Sequence, residues 1–239
     1  MWDNQQALRN LANKLFGISL LLVLFAAVHY TIHLQVFPLN VVQMSAAPQR
    51  VDAAQIEDIV RHELRGNFFT VDLESARKTF EKLPWVRKVN VRRHFPWRLE
   101  VELEEHVPLA SWNGSELVNT HGEVFAAESD ETLPKFIGQP DTSADITRMY
   151  KVFGGQLEPL KQKVAQISLS PRRAWQLRLD NGMVLELGRE QAQERLARFV
   201  AVYPYSLASM QRTVNYVDLR YRNGFAVYLP GGVARGQQG

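Results

Sequence analysis

Few residue groups in this 239-residue chain have types and spacings that could support chemistry. His29 and His33 are four positions apart, so a helix would place both on one face, and that spacing can bind zinc. No Glu stands between them in a metalloprotease arrangement, and no third ligand is evident. A pair of interfacial polar residues at the end of a membrane span is the alternative interpretation, and it is favoured.

Two charged runs also contain residue types that could support chemistry or ligand binding. The alternating glutamates of residues 100–104 could form a metal site or a catalytic carboxylate pair. Every second residue of a half-buried strand points away from the core, so pairing with basic side chains on a neighbouring strand explains them better. Arg92-Arg93-His94 could bind a phosphate or a lipid headgroup, although one short cluster more often solvates a turn.

Motifs of the common enzyme classes are absent from the sequence. It contains no G-x-S-x-G, P-loop, G-x-G-x-x-G or H-E-x-x-H motif. It also contains no cysteine, which excludes disulfides, thiolate nucleophiles and cysteine metal sites. A formal net charge of +3 is too mild to indicate nucleic-acid binding. We therefore expect no catalytic residues, no metal, no cofactor, no nucleic acid and no small-molecule substrate.

An apolar segment near the N-terminus predicts a membrane anchor. Residues 15–49 contain no Asp, Glu, Lys or Arg, and Leu15–Val28 is almost entirely apolar. A spanning helix needs about 20 residues, so we predict a transmembrane helix over residues 15–36. A cleaved signal peptide is the alternative, but its small-residue site, Ser45-Ala46-Ala47, lies far beyond the apolar core.

The basic residues around this segment predict its orientation. Arg9 and Lys14 precede the span, and the first basic residue after it is Arg50. The positive-inside rule then places residues 1–14 in the cytoplasm and everything after the span outside it.

The first exported segments alternate between strand and helix patterns. Phe37–Met44 resembles a strand, and Asp52 and Asp72 have the spacing of helix N-caps. Val86–Arg93 and Leu99–Leu103 then alternate apolar and charged residues, which is typical of a half-buried strand pair. The apolar positions expected to face the core of the two helices recur at helical spacing: Ile56, Ile59, Val60 and Leu64, then Leu73, Ala76, Phe80 and Leu83.

The second half of the chain contains more strand signals. A helix is predicted over Ile146–Gln162, a strand over Val164–Leu169, and a hairpin around Asp180-Asn181-Gly182. An amphipathic helix follows over Arg189–Tyr203, and Pro204 is expected to end it. A last hairpin joins Val214–Tyr221 to Phe225–Leu229, and residues 230–239 are expected to be a disordered tail.

A span followed by the order strand, helix, helix, strand, strand resembles a POTRA domain. The stretch LPWVRKVNVRRHFPWRLEVELEEHVPLASW, residues 83–112, is similar to the signature of the FtsQ family, called DivIB in Gram-positive bacteria. Further matches to the family are Leu117, Val118, Gly122 and Phe125. The stretches that resemble the second domain of the proteobacterial members are Arg172-Arg173-Ala174-Trp175, Leu187-Gly188-Arg189, Arg195-Leu196-Ala197-Arg198-Phe199 and Tyr216–Tyr221.

This resemblance implies an α+β fold with a single N-terminal transmembrane helix, a POTRA domain (β-α-α-β-β) and a C-terminal, mostly antiparallel β domain with flanking helices. The expected boundaries are a cytoplasmic N-terminus at 1–14, the membrane helix at 15–36, the POTRA domain at 37–108, the β domain at 109–229 and the tail at 230–239.

The resemblance also implies a function. Members of the family act as non-enzymatic scaffolds of the divisome, anchored in the cell inner membrane at the division septum with both folded domains in the periplasm. They link early and late division proteins by binding FtsB, with its coiled-coil partner FtsL, through a C-terminal edge strand. FtsK and other divisome proteins would contact the POTRA domain. A membrane-anchored POTRA protein of another envelope assembly or secretion system is the alternative function.

The residues matched to the partner-binding positions of the family lie near the C-terminus. Backbone groups of Phe225–Val227 would supply affinity, Tyr221 would be an aromatic anchor, and Arg172 and Arg220 would pair with acidic side chains of the partner. From composition alone, the last strand could be an edge open to a partner strand, but an ordinary hairpin blunted by Pro230 is the favoured interpretation. The full set is Arg172, Val202, Arg212, Arg220, Tyr221, Asn223, Gly224, Phe225 and Val227.

Overall fold

A computed structural model describes residues 5–33, 41–44, 47–62, 64, 66–95, 98–207, 214–222 and 224–228. The chain divides into two compact units, residues 1–105 and 106–239. Each unit contains its own hydrophobic core. The predicted α+β class is confirmed: an apolar N-terminal helix, a three-stranded sheet with two helices, and a β-rich second unit.

The N-terminal helix, α1, spans Gln5–His33. Its apolar stretch, Leu8–Thr31, has 24 residues with a mean hydropathy of 2.1. At 1.5 Å per residue this stretch is about 36 Å long, which exceeds the ~30 Å hydrocarbon core of a bilayer. Its apolar side chains are exposed to the surroundings and not packed in a core, as expected for a helix that meets lipid.

The remainder of the first unit has the strand and helix order of a POTRA domain. Its strands are β1 (Val41–Met44), β2 (Val86–His94) and β3 (Arg98–Glu105), and its helices are α2 (Ala53–His62) and α3 (Leu73–Phe80). The sheet order is β1-β3-β2, with β1 parallel and β2 antiparallel to β3. The β-α-α-β-β order predicted from the sequence is therefore confirmed.

The alternation in β2 and β3 sets the register of this sheet. Leu99 and Val101 are fully buried against Phe80 of α3. On the outer face, Lys88 pairs in register with Glu104 and Arg92 with Glu100, so the basic strand does lie against the acidic one. The ion pairs form diagonally: Arg87 reaches Glu104 at 2.7 Å and His94 reaches Glu100 at 2.8 Å.

Two carboxylates of this unit accept hydrogen bonds from backbone N–H groups. Asp72 caps α3 by accepting hydrogen bonds from the N–H groups of Glu74 and Ser75, at 3.0 and 3.2 Å. The Glu105 carboxylate accepts from the backbone N–H groups of residues 49, 50 and 51, at 2.9–3.2 Å. Partial burial opposes ionisation of Glu105, but these three donors outweigh it and hold its pKa below the ordinary value.

The second unit is built on one nine-stranded sheet of order β12-β11-β10-β9-β8-β7-β4-β5-β6. Three of its pairings are parallel and five are antiparallel. The strands are β4 (Pro108–Trp112), β5 (Glu116–Asn119), β6 (Val124–Phe125), β7 (Lys135–Ile137), β8 (Val164–Leu169), β9 (Trp175–Leu179), β10 (Val184–Gly188), β11 (Tyr216–Asp218) and β12 (Ala226–Tyr228).

Two helices, α4 (Ser143–Leu157) and α5 (Ala192–Ser206), pack on one face of this sheet. Leu177, Leu185 and Val217 lie in a row across that face and are fully buried with Phe153 and Phe199 of the helices. The alternate positions point to the opposite face. This one-sided arrangement follows from the period-two pattern of the strands.

Three sequence-based boundaries are wrong or fall outside the described residues. Pro204 does not end α5, which continues to Ser206. It lies in the last turn, where it removes only one helical hydrogen bond, and Leu207 still donates to the Tyr203 carbonyl at 3.1 Å. The α4 helix begins three residues earlier than predicted and gives way to a 3₁₀ turn at Glu158–Leu160. The predicted tail at 230–239 lies outside the described residues.

Candidate partner-binding edge strand

Strand β12 is one edge of the nine-stranded sheet, and in the described part of the chain no strand pairs with its outer side. Its register with β11 pairs Tyr216 with Tyr228 and Asp218 with Ala226. Asn215 and Leu219 bond to β10 through their backbone groups. Because backbone groups alternate sides along a strand, Tyr216 and Asp218 must bond to β12, and Val227 directs its N–H and C=O outward.

Several segments meet at the end of the sheet where β12 begins. Gly188 at the end of β10 pairs with Trp175 at the start of β9. β11 is parallel to β10 and ends at Asp218, opposite Ala226. The β8–β9 turn that carries Arg172 and the β11–β12 connection that carries Tyr221 therefore lie at the same end. A partner strand along β12 would reach this end with one of its termini.

An apolar depression lies between α5 and the β11–β12 connection. Its volume is about 390 Å³. Phe225 packs edge-to-face on Phe199, with ring centroids 5.8 Å apart. The Arg198 guanidinium donates to the Arg222 carbonyl and ties the helix to the connection. The residues that line the depression are Arg195, Arg198, Phe199, Ala201, Val202, Leu219, Arg222, Gly224 and Phe225.

Arg220 is held in place from within the chain. Its Nε lies 2.9 Å from Oδ1 of Asp218, and its Nη2 donates to Oδ2 of the same carboxylate at 2.6 Å. The guanidinium holds the pKa of the mostly buried Asp218 below its ordinary value, and the carboxylate raises the pKa of Arg220 in turn. The arginine side chain stays largely exposed. Its position is thus fixed, and no described residue forms a hydrogen bond with its Nη1.

The same carboxylate affects Tyr216. Burial raises the pKa of the Tyr216 hydroxyl, and the neighbouring Glu186 and Asp218 raise it further. This hydroxyl is therefore a neutral hydrogen-bond donor at physiological pH. Glu186 also accepts from the Gln176 amide at 3.0 Å, so the open sheet face beside the edge carries an ordered polar row.

Gly188 is needed for this geometry. It has φ +74°, a conformation that side chains disfavour. A Cβ at this position would lie 2.8 Å from Nη1 of Arg195 and 3.0 Å from Cγ of Arg220. Arg195 uses that Nη1 to donate to the Leu187 carbonyl at 2.6 Å. The glycine lets two arginines approach the end of β10.

The structure brings most of the predicted residues together. Val202, Gly224 and Phe225 line the depression, and Tyr221 is 57% exposed beside it. Arg172 lies at the same end of the sheet but not in this cluster. The β9 strand is three positions from β12, which is about 14 Å at 4.8 Å per strand. Arg212 and Asn223 lie outside the described residues.

Sequence reasoning did not identify Asp218, Arg198 or Phe199 as part of this region. Asp218 and Arg220 are two positions apart, a spacing that places them on one side of an extended chain, so the pair had a visible signal. Tyr228 on β12 is 65% exposed. The period-two alternation of the last strand predicts this outward position of its side chain. Arg198 donates to the Arg222 carbonyl, 24 residues away, and no local sequence pattern predicts such a contact.

No group of three or more His, Cys, Asp or Glu residues that could hold a metal lies among the described residues. The Nδ1 atom of His33 is 2.8 Å from the carbonyl of His29. Both histidines belong to the last turn or two of α1. The interfacial interpretation of this pair stays a prediction.

Comparisons with known proteins cover nearly the whole chain. A family model described as "POTRA domain, FtsQ-type" matches residues 37–106, and one described as "Cell division protein FtsQ/DivIB, C-terminal" matches residues 110–220. The chain is 48% identical to "Cell division protein FtsQ" of Nitrosospira multiformis, over 95% of this chain and 98% of the relative.

Two further relatives carry the same name. The chain is 37% identical to the protein from Burkholderia pseudomallei, over 97% of this chain and 95% of the relative. It is 34% identical to the protein from Bordetella pertussis, over 96% of this chain and 93% of the relative. With the anchor helix, the POTRA domain and both family models in agreement, the chain belongs to the FtsQ/DivIB family of membrane-anchored cell division proteins.

Proposed function

We propose that this protein is a non-enzymatic scaffold of the divisome that binds an FtsB/FtsL-type partner by adding a partner strand to β12. The observation that carries the proposal is the outward direction of the Val227 backbone at an edge that the described chain leaves unpaired. Strand addition gains affinity from such main-chain groups, and side-chain pockets beside the edge give specificity.

The surroundings of the edge suit a peptide partner. The depression beside Phe225 can take one apolar side chain, and Tyr221 offers an exposed aromatic ring of the type that dominates binding hot spots. Arg220, already oriented by Asp218, favours an acidic residue on the partner strand. Arg172 would contact a part of the partner that continues about 14 Å across the sheet end.

The proposed setting is the cell inner membrane at the division septum. Arg9 and Lys14 on the N-terminal side of α1 favour a cytoplasmic N-terminus, which would place both folded units in the periplasm. We include FtsK and other divisome proteins as partners of the POTRA domain. The alternative is a role in another envelope assembly or secretion system. The protein would then use the same anchor and POTRA domain to bind a different partner.

A titration tests the proposal. The full chain in detergent is titrated calorimetrically with the periplasmic segment of the same organism's FtsB, alongside Tyr221→Ala. We expect wild type to bind and the variant to lose about 2 kcal/mol, roughly 30-fold in Kd. Phe95→Ala is the matched control, because it removes another exposed ring from the other unit. Absence of wild-type binding, or equal loss in both variants, would remove the basis for the proposal.

A further inference from the structure

One end of the POTRA domain carries aromatic rings and cations that partner binding at β12 does not use. The turn after β2 presents Phe95, whose side chain is 83% exposed. Phe95 contacts Phe68 in the loop between α2 and α3, with centroids 6.4 Å apart, and Phe68 contacts Phe69 at 5.2 Å. We call these three rings, with Arg92, Arg93 and Arg98, the tip.

Among the described residues, Arg92, Arg93 and Arg98 form no ion pair with a carboxylate, although Arg92 stands opposite Glu100 in the sheet register. Arg93 donates to the Val71 carbonyl at 2.6 Å. This hydrogen bond joins the end of β2 to the loop between α2 and α3. Of the described carboxylates at this end, Glu74 lies 2.7 Å from Nη2 of Arg77. Asp72 accepts from the first N–H groups of α3, and Glu100 lies 2.8 Å from the His94 ring. The tip therefore presents net positive charge beside exposed aromatic surface.

The register of the sheet places the tip at the end of the domain where β1 begins. Val41, the first residue of β1, pairs with Arg98, the first residue of β3. His94 at the end of β2 also pairs with Arg98. The chain from His33 at the end of α1 to Val41 has eight residue steps, which span at most about 29 Å. The covalent tether therefore enters the domain at the tip.

We propose that the tip docks on anionic phospholipid headgroups of the membrane that α1 spans. Aromatic side chains favour the headgroup region, and arginine binds phosphate oxygens through paired donors. Each arginine near an anionic surface strengthens attachment about fivefold. Because the tether holds Val41, at this end of the sheet, within about 29 Å of His33 at the end of α1, a surface too weak to bind lipid alone is sufficient. Docking would set the orientation of the POTRA domain at the membrane.

The test uses the full chain in lipid nanodiscs. Since the sequence has no cysteine, a single introduced cysteine carries a fluorophore, at Ser75→Cys near the tip or at Lys82→Cys at the opposite end of α3. Discs contain either phosphatidylethanolamine with a quarter phosphatidylglycerol or phosphatidylcholine alone. A headgroup nitroxide lipid quenches the probe. We expect stronger quenching at position 75 than at 82, and stronger in the anionic discs.

The variants make the test decisive. Arg92→Gln with Arg98→Gln should lower the docked-to-free ratio roughly 25-fold, from two factors of about five, and Phe95→Ser should lower it independently. All three side chains are exposed, so folding is retained. The control Arg148→Gln with Arg189→Gln removes the same charge from exposed positions of the second unit. Equal quenching in the anionic and the phosphatidylcholine discs would overturn the proposal. So would a control variant that reduces quenching as much as the tip variants do.

Discussion

Replacing Val227 by proline tests the edge strand directly, because proline removes one backbone N–H and leaves the others in place. The ladder to β11 uses the backbone groups of Ala226 and Tyr228, while Val227 points outward. Proline is tolerated on an edge strand when its missing N–H faces away from the sheet, and Ala226 already has the extended conformation that a following proline requires. We therefore expect the variant to fold.

The magnitude follows from one lost hydrogen bond. A net backbone hydrogen bond contributes about 1 kcal/mol, and a partner carbonyl left without its donor costs about 1–3 kcal/mol when buried. A loss of about 2 kcal/mol corresponds to roughly 30-fold in Kd. Val227→Ala is the matched control, since it removes side-chain packing against the core but keeps the N–H.

The assay is the same calorimetric titration with the FtsB periplasmic segment, with circular dichroism to establish that each variant is folded. We expect Val227→Pro to bind much more weakly than Val227→Ala. Equal affinity of the two folded variants would refute strand addition at β12. Binding would then have to depend on side chains alone, with Tyr221 and the depression beside Phe225 as the remaining candidates.

Two further predictions concern stability. Glu105→Gln should destabilise the first unit by about 1–2 kcal/mol. Because the pKa of Glu105 is lowered in the folded state, its contribution to stability is complete above its ordinary pKa of 4.5 and is lost as pH falls through the folded pKa. Hydrogen exchange of the β2 and β3 amides in wild type and variant, at pH 6 and pH 3.5, measures this difference. Gly188→Ala should destabilise the fold by about 1–2 kcal/mol, because alanine disfavours the positive φ of this position. Its Cβ should also displace Arg195 or Arg220, so the melting temperature and the affinity for the partner should both fall. An unchanged melting temperature would contradict the first effect.

Local patterns predicted the POTRA domain well, because its signals lie close together in sequence. Period-two alternation in β2 and β3 fixed which side chains are buried, and Asp72 caps α3 as its spacing indicated. The Asp180-Asn181-Gly182 turn likewise marked the β9–β10 hairpin. In each case the interacting residues are fewer than about 20 positions apart, so the pattern and the contact share one stretch of chain.

Pairings between distant segments left no such signal. β1 lies parallel to β3 across more than 50 residues, and β10 lies parallel to β11 with α5 between them. Parallel pairs need long connections, so no turn motif reports them. The position of Arg172 illustrates the consequence. Family resemblance identified the residue, but only the order β9-β10-β11-β12 shows that it lies three strands from the edge.

The proposed partner-binding edge and the tip belong to different units, and the two surfaces differ in what they require of a ligand. The edge offers directional backbone groups at Val227, which a strand of one register can satisfy. The tip offers rings and guanidinium groups around Phe95, which a fluid layer of headgroups can satisfy in many arrangements. A variant at one surface should therefore leave binding at the other intact. Loss of both in Val227→Pro would mean that the two units do not fold independently.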